Sequence, residues 1–327
     1  MQLTIVRWGI LGAAKFAREQ MAPAINAAKG AKIEMLATSD PAKAAPFQAF
    51  APDLRVTDSY EAVLADPNVD AVYVPLPNSL HVEWTRKAME AGKHVLTEKP
   101  IAMQAGEIDA LIALRDQTGL VAAEAYMIVH HPQWQQARAL YQAGEIGDLL
   151  RVNASFAYDN SGDPGNIRNT ADTGGGSLGD IGVYTLGCAR FVSGREPQVI
   201  KHADITRENG VDVRAEVIAD FGGFTLTSMT SMRMALYQSV TFHGSAGVMT
   251  LPAPFNPLGY GDAELVVQRK GEVTQVYRYP GVNHYVLQVE AFSAAVRGDA
   301  PYPCPLEFSQ GTQAFIDMIF AAEGGAG

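Results

Sequence analysis

An α/β domain built on a doubly wound parallel sheet, followed by an α+β domain with a large open, mostly antiparallel sheet, is the fold this sequence predicts. Three observations point there. Over the first ~120 residues, short β-branched runs alternate with Ala-rich stretches of helical spacing, and the runs are apolar throughout, as strands covered on both faces are. Later in the chain, strand-like segments follow one another with no helix between them. The 327 residues are long for one core and comfortable for two. The expected division is residues 1–125 and 126–327, with the last helices packing back on the first domain.

The strands expected in the first domain are residues 4–10, 32–38, 71–74, 94–97 and 121–125. The helices between them are 16–28, 41–50, 60–65, 79–91 and 104–118. These lengths fit two mononucleotide-binding halves, the Rossmann arrangement. A helix over 134–143 and a strand over 149–158 come next, then a Gly-, Asn- and Asp-rich loop to Gly176 and a helix over 184–192. Strand candidates at 198–206, 214–221, 225–230, 239–243, 248–251, 263–268 and 273–277 supply the open sheet. Helices over 287–296 and 309–321 close the chain.

Composition removes several function classes. Hydrophobic content of 47% with 18% charged residues describes a soluble globular protein with a large core. A formal net charge of -10 with no basic stripe argues against nucleic acid as a partner. Cys188 and Cys304 form neither a disulfide framework nor a metal-type spacing, and the seven histidines, His130-His131 included, fall into no ligand pattern, so no metal is expected. No apolar run reaches membrane-span length. The N-terminus goes straight into a strand-like segment without a signal-peptide layout, which makes the cytoplasm the expected compartment. The open sheet of the second domain leaves a broad face to cover, so a homo-oligomer, dimer or tetramer, is expected.

Four segments carry chemistry. The run His94-Val95-Leu96-Thr97-Glu98-Lys99-Pro100 is a short apolar strand ending on a carboxylate, an ammonium and a proline. It delivers a titratable amine to the rim of a parallel sheet, where open α/β sheets bind ligands. A surface lysine after an ordinary strand has the same look. Gly9-Ile10-Leu11-Gly12-Ala13-Ala14 follows the first strand as a relaxed dinucleotide fingerprint. Gly9 is expected to allow the tight turn, Gly12 the approach of a pyrophosphate, and Ala14 close helix–strand packing; Ala13 and Phe16 complete the expected cofactor contacts. The second strand ends on Ser39 and Asp40, placed to meet an adenosine ribose or simply to cap the helix that starts at Pro41. A carboxylate there favours NAD, while nearby Lys43 keeps NADP open. The rigid turn Pro75-Leu76-Pro77-Asn78-Ser79-Leu80-His81 can carry a nicotinamide ribose or a phosphate, or merely stiffen the loop.

In order along the chain, Trp8-Gly9-Ile10-Leu11-Gly12, the turn over 75–81, Glu98-Lys99-Pro100 and Gly174-Gly175-Gly176-Ser177-Leu178-Gly179-Asp180-Ile181-Gly182-Val183-Tyr184 resemble the glucose–fructose oxidoreductase / inositol dehydrogenase / MocA (Gfo/Idh/MocA) family. The resemblance covers nearly the whole chain. Tyr184, Asn166-Ile167-Arg168 and His131-Pro132-Gln133-Trp134 resemble the branch that holds D-xylose dehydrogenases, dihydrodiol dehydrogenases and aldose oxidoreductases. Two departures stand out: Val129 sits where branch members usually carry a basic residue, and Asp40 where NADP-using relatives often have arginine.

By position, the resemblance makes Lys99 the active-site lysine, in touch with both cofactor and substrate beside Glu98, with Asp180 and Tyr184 as its partners from the second domain. The i, i+4 spacing of that pair suits one helical face. Arg168, in a loop rich in polar groups that suit a polyol, is a further substrate-binding candidate; Tyr126 and Tyr285 are candidate pocket walls or core aromatics. The implied activity is NAD(P)-dependent hydride transfer between nicotinamide and a sugar, with aldose to aldonolactone as the leading form. Free tyrosine titrates near ~10, so a neighbouring ammonium must stabilise its phenolate. Tyr184 is thus the expected general acid/base and Lys99 its tuner, a pair of roles that can also be exchanged. Alternatives are an aldose–aldose or aldose–ketose oxidoreductase with tightly bound cofactor, a keto-sugar reductase, and a non-catalytic sugar sensor.

Overall fold

The computed structural model describes residues 4–323. The described residues up to His130 together with Asn283–Gln310 make one compact unit, and His131–Val282 with those from Gly311 onward make the other. The helices are α1 (Ala22–Ala27), α2 (Pro41–Gln48), α3 (Tyr60–Ala65), α4 (His81–Glu90), α5 (Ala105–Thr118), α6 (Pro132–Gln142), α7 (Val183–Ser193), the short α8 (Pro257–Tyr260), α9 (His284–Val296) and α10 (Leu306–Ala322).

The first unit is built on strands β1 (Val6–Leu11), β2 (Ala31–Ala37), β3 (Arg55–Thr57), β4 (Ala71–Val74), β5 (His94–Thr97) and β6 (Ala122–Glu124). All pairings are parallel, in the order β3-β2-β1-β4-β5-β6. This is the doubly wound sheet expected, with one strand more. Strand β3 escaped the sequence reading because three residues, of which only Val56 is apolar and that one exposed, show no burial pattern. The helices start where short polar side chains satisfy their first N–H groups. The Asp40 carboxylate accepts from the Ala42 N–H at 2.9 Å, Ser59 Oγ from the Ala62 N–H at 3.1 Å, and Gln104 with Glu107 forms a capping box on α5. One continuous core runs from Leu11 and Val72 through Val95 to Ile108 and Leu306. Helix α9 belongs to this unit, with the Phe292 ring 5.1 Å from that of Trp8.

The second unit carries β7 (Leu149–Asp159), β8 (Val199–Glu208), β9 (Val211–Asp220), β10 (Thr225–Ser231), β11 (Arg233–Gly244), β12 (Gly247–Leu251), β13 (Glu264–Arg269) and β14 (Gln275–Arg278). They form an eight-stranded sheet in the order β14-β13-β12-β11-β7-β10-β9-β8, antiparallel except between β7 and β10. Helices α6 and α7 pack on each other, and α7 on β7 and β10. The core is aromatic: Trp134 stacks on Phe255 at 6.1 Å, Phe255 on Phe156 at 5.2 Å, and the Trp134 indole N–H donates to the Pro254 carbonyl at 2.7 Å.

Candidate active site

The parallel sheet reverses its winding between β1 and β4, the place where doubly wound sheets open a crevice at the strand ends. Gly12 is the first residue past β1. Its φ of +107° is closed to most side chains, and a Cβ there would lie 3.2 Å from Leu76 Cδ2. Gly9 lies inside β1 without a positive φ, and a Cβ there would overlap the Val63 side chain of α3. The turn role expected of Gly9 therefore falls to Gly12, and Gly9 serves close helix–strand approach instead. Ala13 and Ala14, half-buried, lead into a π-type helical turn over Ala17–Met21 that runs on into α1. Phe16 meets the Tyr285 ring edge-on at 5.5 Å. Ser39 and Asp40 are exposed, and the Asp40 carboxylate caps α2 while still facing solvent.

One strand further along the rim, β5 ends at Thr97 and the Glu98-Lys99-Pro100 turn begins. Glu98 Oε1 accepts from the Tyr73 hydroxyl at 2.6 Å, and Oε2 from the Lys99 backbone N–H at 3.3 Å. Lys99 itself is half-buried. Next to it, His81 is fully buried, with Nδ1 2.7 Å from the Pro100 carbonyl and Nε2 2.8 Å from the Leu76 carbonyl. The ring thus ties the Pro75-Leu76-Pro77 turn to the lysine turn, and burial holds its pKa below the usual imidazole value. Beyond Pro100, the Ile101 N–H donates at 2.9 Å to Oε1 of Glu124, a buried carboxyl at the end of β6 whose pKa burial pushes up. Asn78 opens a short turn over Asn78–Leu80 ahead of α4.

Sequence reasoning placed neither Tyr73 nor Glu124 in this neighbourhood. A signal existed for Glu124: it is the one charge in the otherwise apolar Ala122-Ala123-Glu124-Ala125. Tyr126 and Tyr285 both fall in the first unit. Tyr126 is buried with its ring 5.6 Å from Phe308, and the Tyr285 phenol is pushed up by burial and then by the Glu98 charge.

In the second unit, Asp180 and Tyr184 sit at the start of α7. The expected regular helix begins differently: a wide, π-type turn over Leu178–Gly182 carries Asp180 and runs into α7, where Tyr184 is the second residue. Buried Asp212 fixes that turn by accepting from Ser177 Oγ at 2.8 Å and the Leu178 N–H at 2.7 Å. Gly176, at φ +130°, leaves room for the Asp212 carboxyl that a Cβ would strike. The Asp180 carboxylate accepts from the Tyr158 hydroxyl at 2.6 Å and pairs with Arg168 Nε at 2.9 Å. Tyr158, unremarked in the sequence, has its phenol pushed up by burial and by the Asp180 charge. Tyr184 is buried against the rings of Phe156 at 6.1 Å and Phe255 at 5.7 Å.

The first unit can therefore seat a dinucleotide diphosphate at Gly12, and it carries the Lys99 ammonium at the end of β5, two strands along the same rim. The second presents a phenol and a carboxylate–guanidinium pair. Among the described residues, no three His, Cys, Asp or Glu side chains gather as a metal site, and no helix is long and apolar enough to cross a membrane.

Comparison with known proteins agrees with this reading of the first unit. A family model described as an oxidoreductase family with an NAD-binding Rossmann fold matches residues 6–126, and one described as a GFO/IDH/MocA C-terminal domain matches residues 134–250. The chain is similar to a dTDP-3,4-didehydro-2,6-dideoxy-alpha-D-glucose 3-reductase of Saccharopolyspora spinosa, 35% identical over 320 residues that span 97% of this chain and 96% of that protein. It is similar to the D-xylose 1-dehydrogenase (NADP(+)) 2 of Haloferax volcanii, 32% identical over 324 residues and 98% of both chains. Among solved structures, the 3-ketoreductase KijD10 of Actinomadura kijaniata, in complex with NADP and TDP-benzene, matches with a TM-score of 0.89 at 29% identity, covering 97% of this chain and 98% of that one.

Proposed function

Because the chain belongs to the Gfo/Idh/MocA oxidoreductase family, we propose that it transfers hydride between a nicotinamide cofactor and a sugar, oxidising an aldose at its anomeric carbon to the lactone. The observation that supports this most is the place of Lys99 in a tightly fixed turn at the end of β5, on the sheet rim that also carries the Gly12 turn. When bound, the nicotinamide supplies the hydride acceptor. The protein's own part is proton handling and orientation. Tyr184 takes the hydroxyl proton as the C–H electron pair departs, leaving a carbonyl and a neutral phenol. Lys99 donates a hydrogen bond to the substrate oxygen and stabilises the phenolate before transfer. Arg168 and Asp180, already paired, orient sugar hydroxyls through the donors and acceptors they present. Asp40 favours NAD, since its carboxylate repels a 2′-phosphate.

The test is cofactor reduction followed by absorbance over a panel of pyranoses with NAD and NADP. Lys99→Ala and Tyr184→Phe should each lower kcat by about 10²–10⁴-fold. Normal turnover in both variants ends this mechanism. A second reading, reduction of a nucleotide-linked keto sugar, is favoured by the 35% identity to a dTDP-sugar 3-reductase; the same groups then run in reverse, with Tyr184 as acid. NADPH oxidation by dTDP-keto sugars, with no activity on free aldoses, selects it. Association into a homo-oligomer belongs to the same proposal. The open sheet of the second unit exposes Met234, Leu236 and Tyr237 along β11, and light scattering reads the assembly directly.

A further inference from the structure

The Lys99 turn has three fixed points, all in the first unit. Glu98 is held by the Tyr73 hydroxyl, the Pro100 carbonyl lies on the His81 ring, and the Ile101 N–H donates to Glu124. Tyr73 and His81 are fully buried, and the groups they offer the turn are a hydroxyl and an imidazole. The third is a carboxyl. Ile101 and Glu124 are both buried, so no water can replace the carboxyl oxygen at 2.9 Å. Glu124 also stands directly opposite Thr97 in the parallel β5–β6 ladder, and the Ala125 N–H donates to the Thr97 carbonyl at 2.7 Å. The backbone that carries this carboxyl is thus paired with the same strand end that the carboxyl secures. A carboxyl at such a position is costly to bury, and a hydrophobic residue would fill the space more cheaply. Its presence there fits a geometric task.

We propose that Glu124 is a positioning residue for the reaction, seating the Lys99 ammonium by accepting the Ile101 N–H from the far side of the lysine turn. The proposal rests on the assignment of Lys99 to catalysis made above. It predicts that the acceptor oxygen, rather than the negative charge, is what matters. Glutamine keeps that oxygen in place; aspartate keeps the charge and draws the oxygen back by one methylene; alanine removes both.

The experiment compares wild type, Glu124→Gln, Glu124→Asp and Glu124→Ala in kcat, in KM and in nucleotide affinity by fluorescence titration. It also follows the rate at which acetic anhydride acylates Lys99, read by mass spectrometry. Expected are a loss in kcat of about a hundredfold for Glu124→Ala, a clear loss for Glu124→Asp, and recovery to within about threefold of wild type for Glu124→Gln, with KM and nucleotide affinity nearly constant. The acylation rate of Lys99 should shift several-fold in Glu124→Ala and Glu124→Asp and stay near wild type in Glu124→Gln. Glu124→Gln as damaged as Glu124→Asp overturns the proposal, as does Glu124→Asp that matches wild type in both readouts. The labelling needs no substrate, so it decides the role of Glu124 even if no sugar is turned over, and Glu124→Asp serves if Glu124→Ala does not fold.

Discussion

Gly12 answers two demands at once: a backbone angle that side chains rarely adopt, and a gap of 3.2 Å to Leu76 that a methyl group would crowd. Gly12→Ala should therefore cost about 1–3 kcal/mol in stability and weaken nucleotide binding by at least tenfold; a titration showing unchanged affinity would mean that the cofactor sits elsewhere. Asp40 carries a different pair of roles. Replacing it by alanine removes the cap on α2, worth about 1 kcal/mol, and also removes the charge that opposes a 2′-phosphate. In Asp40→Ala, kcat/KM with NADP should rise relative to NAD while Tm falls by a few degrees. An unchanged cofactor ratio would leave Asp40 a helix cap alone. Residues of this kind are legible in the sequence because glycine and aspartate at strand–helix junctions have few reasons to be there. His81 and Glu124 are less so. Their tasks depend on which carbonyl or N–H the folded chain brings beside them, and nothing local in the sequence states that.

At the level of elements, the start of α6 is sensitive to acid. His131 caps the helix, its Nδ1 accepting from the Gln133 N–H at 3.1 Å, and His130 lies within reach of the Tyr302 hydroxyl at 3.1 Å. Burial holds their pKa values down to about 4 and about 3. Both are depressed from an unfolded value near 6.5, so the native state refuses protons that the unfolded chain accepts. Stability is fully present above about pH 6.5 and declines as pH falls toward 4, by about 1.4 kcal/mol per pH unit for each histidine. Melting curves between pH 7 and 5 should show this decline, and His131→Asn, which keeps a capping oxygen but no titrating ring, should flatten it by roughly one proton's share. An identical slope in the variant would remove His131 from the account. Elements with a plain local pattern were readable from sequence: β1, β2, β4 and β5 as β-branched runs, α5 as an Ala-rich stretch of helical spacing. Those without one were not. The first half of β11 exposes Met234, Ala235, Leu236 and Tyr237 in succession, across a bulge between Arg233 and Tyr237, so no alternation marks it as strand. The wide turn before α7 has the same hydrogen-bonding residues that a plain helix would show.

For the whole molecule, the decisive feature is that the first unit is discontinuous in sequence. Its core uses Phe292 against Trp8, Tyr285 against Phe16 and Phe308 against Tyr126, all supplied from Asn283–Gln310, beyond the main body of the second unit. Loss of a buried aromatic of this size costs about 3–5 kcal/mol, and a chain ending at His130 loses three such partners together. That fragment should show no cooperative melt and no nucleotide binding, although it contains the complete parallel sheet; a sharp thermal transition would contradict this. The doubly wound sheet was visible in the sequence because each of its strands is local, whereas the rings that complete its core meet across the longest separations in the chain. Helix α10 carries the arrangement one step further, since it opens in the first unit at Leu306 and continues into the second from Gly311. During synthesis, the ribosome releases every strand of the nucleotide half before the second unit exists, yet must translate residues 131–282 before α9 emerges to cover Trp8. The half that is begun first therefore waits for most of the other, and until α9 arrives its uncovered tryptophan face is a natural target for a chaperone.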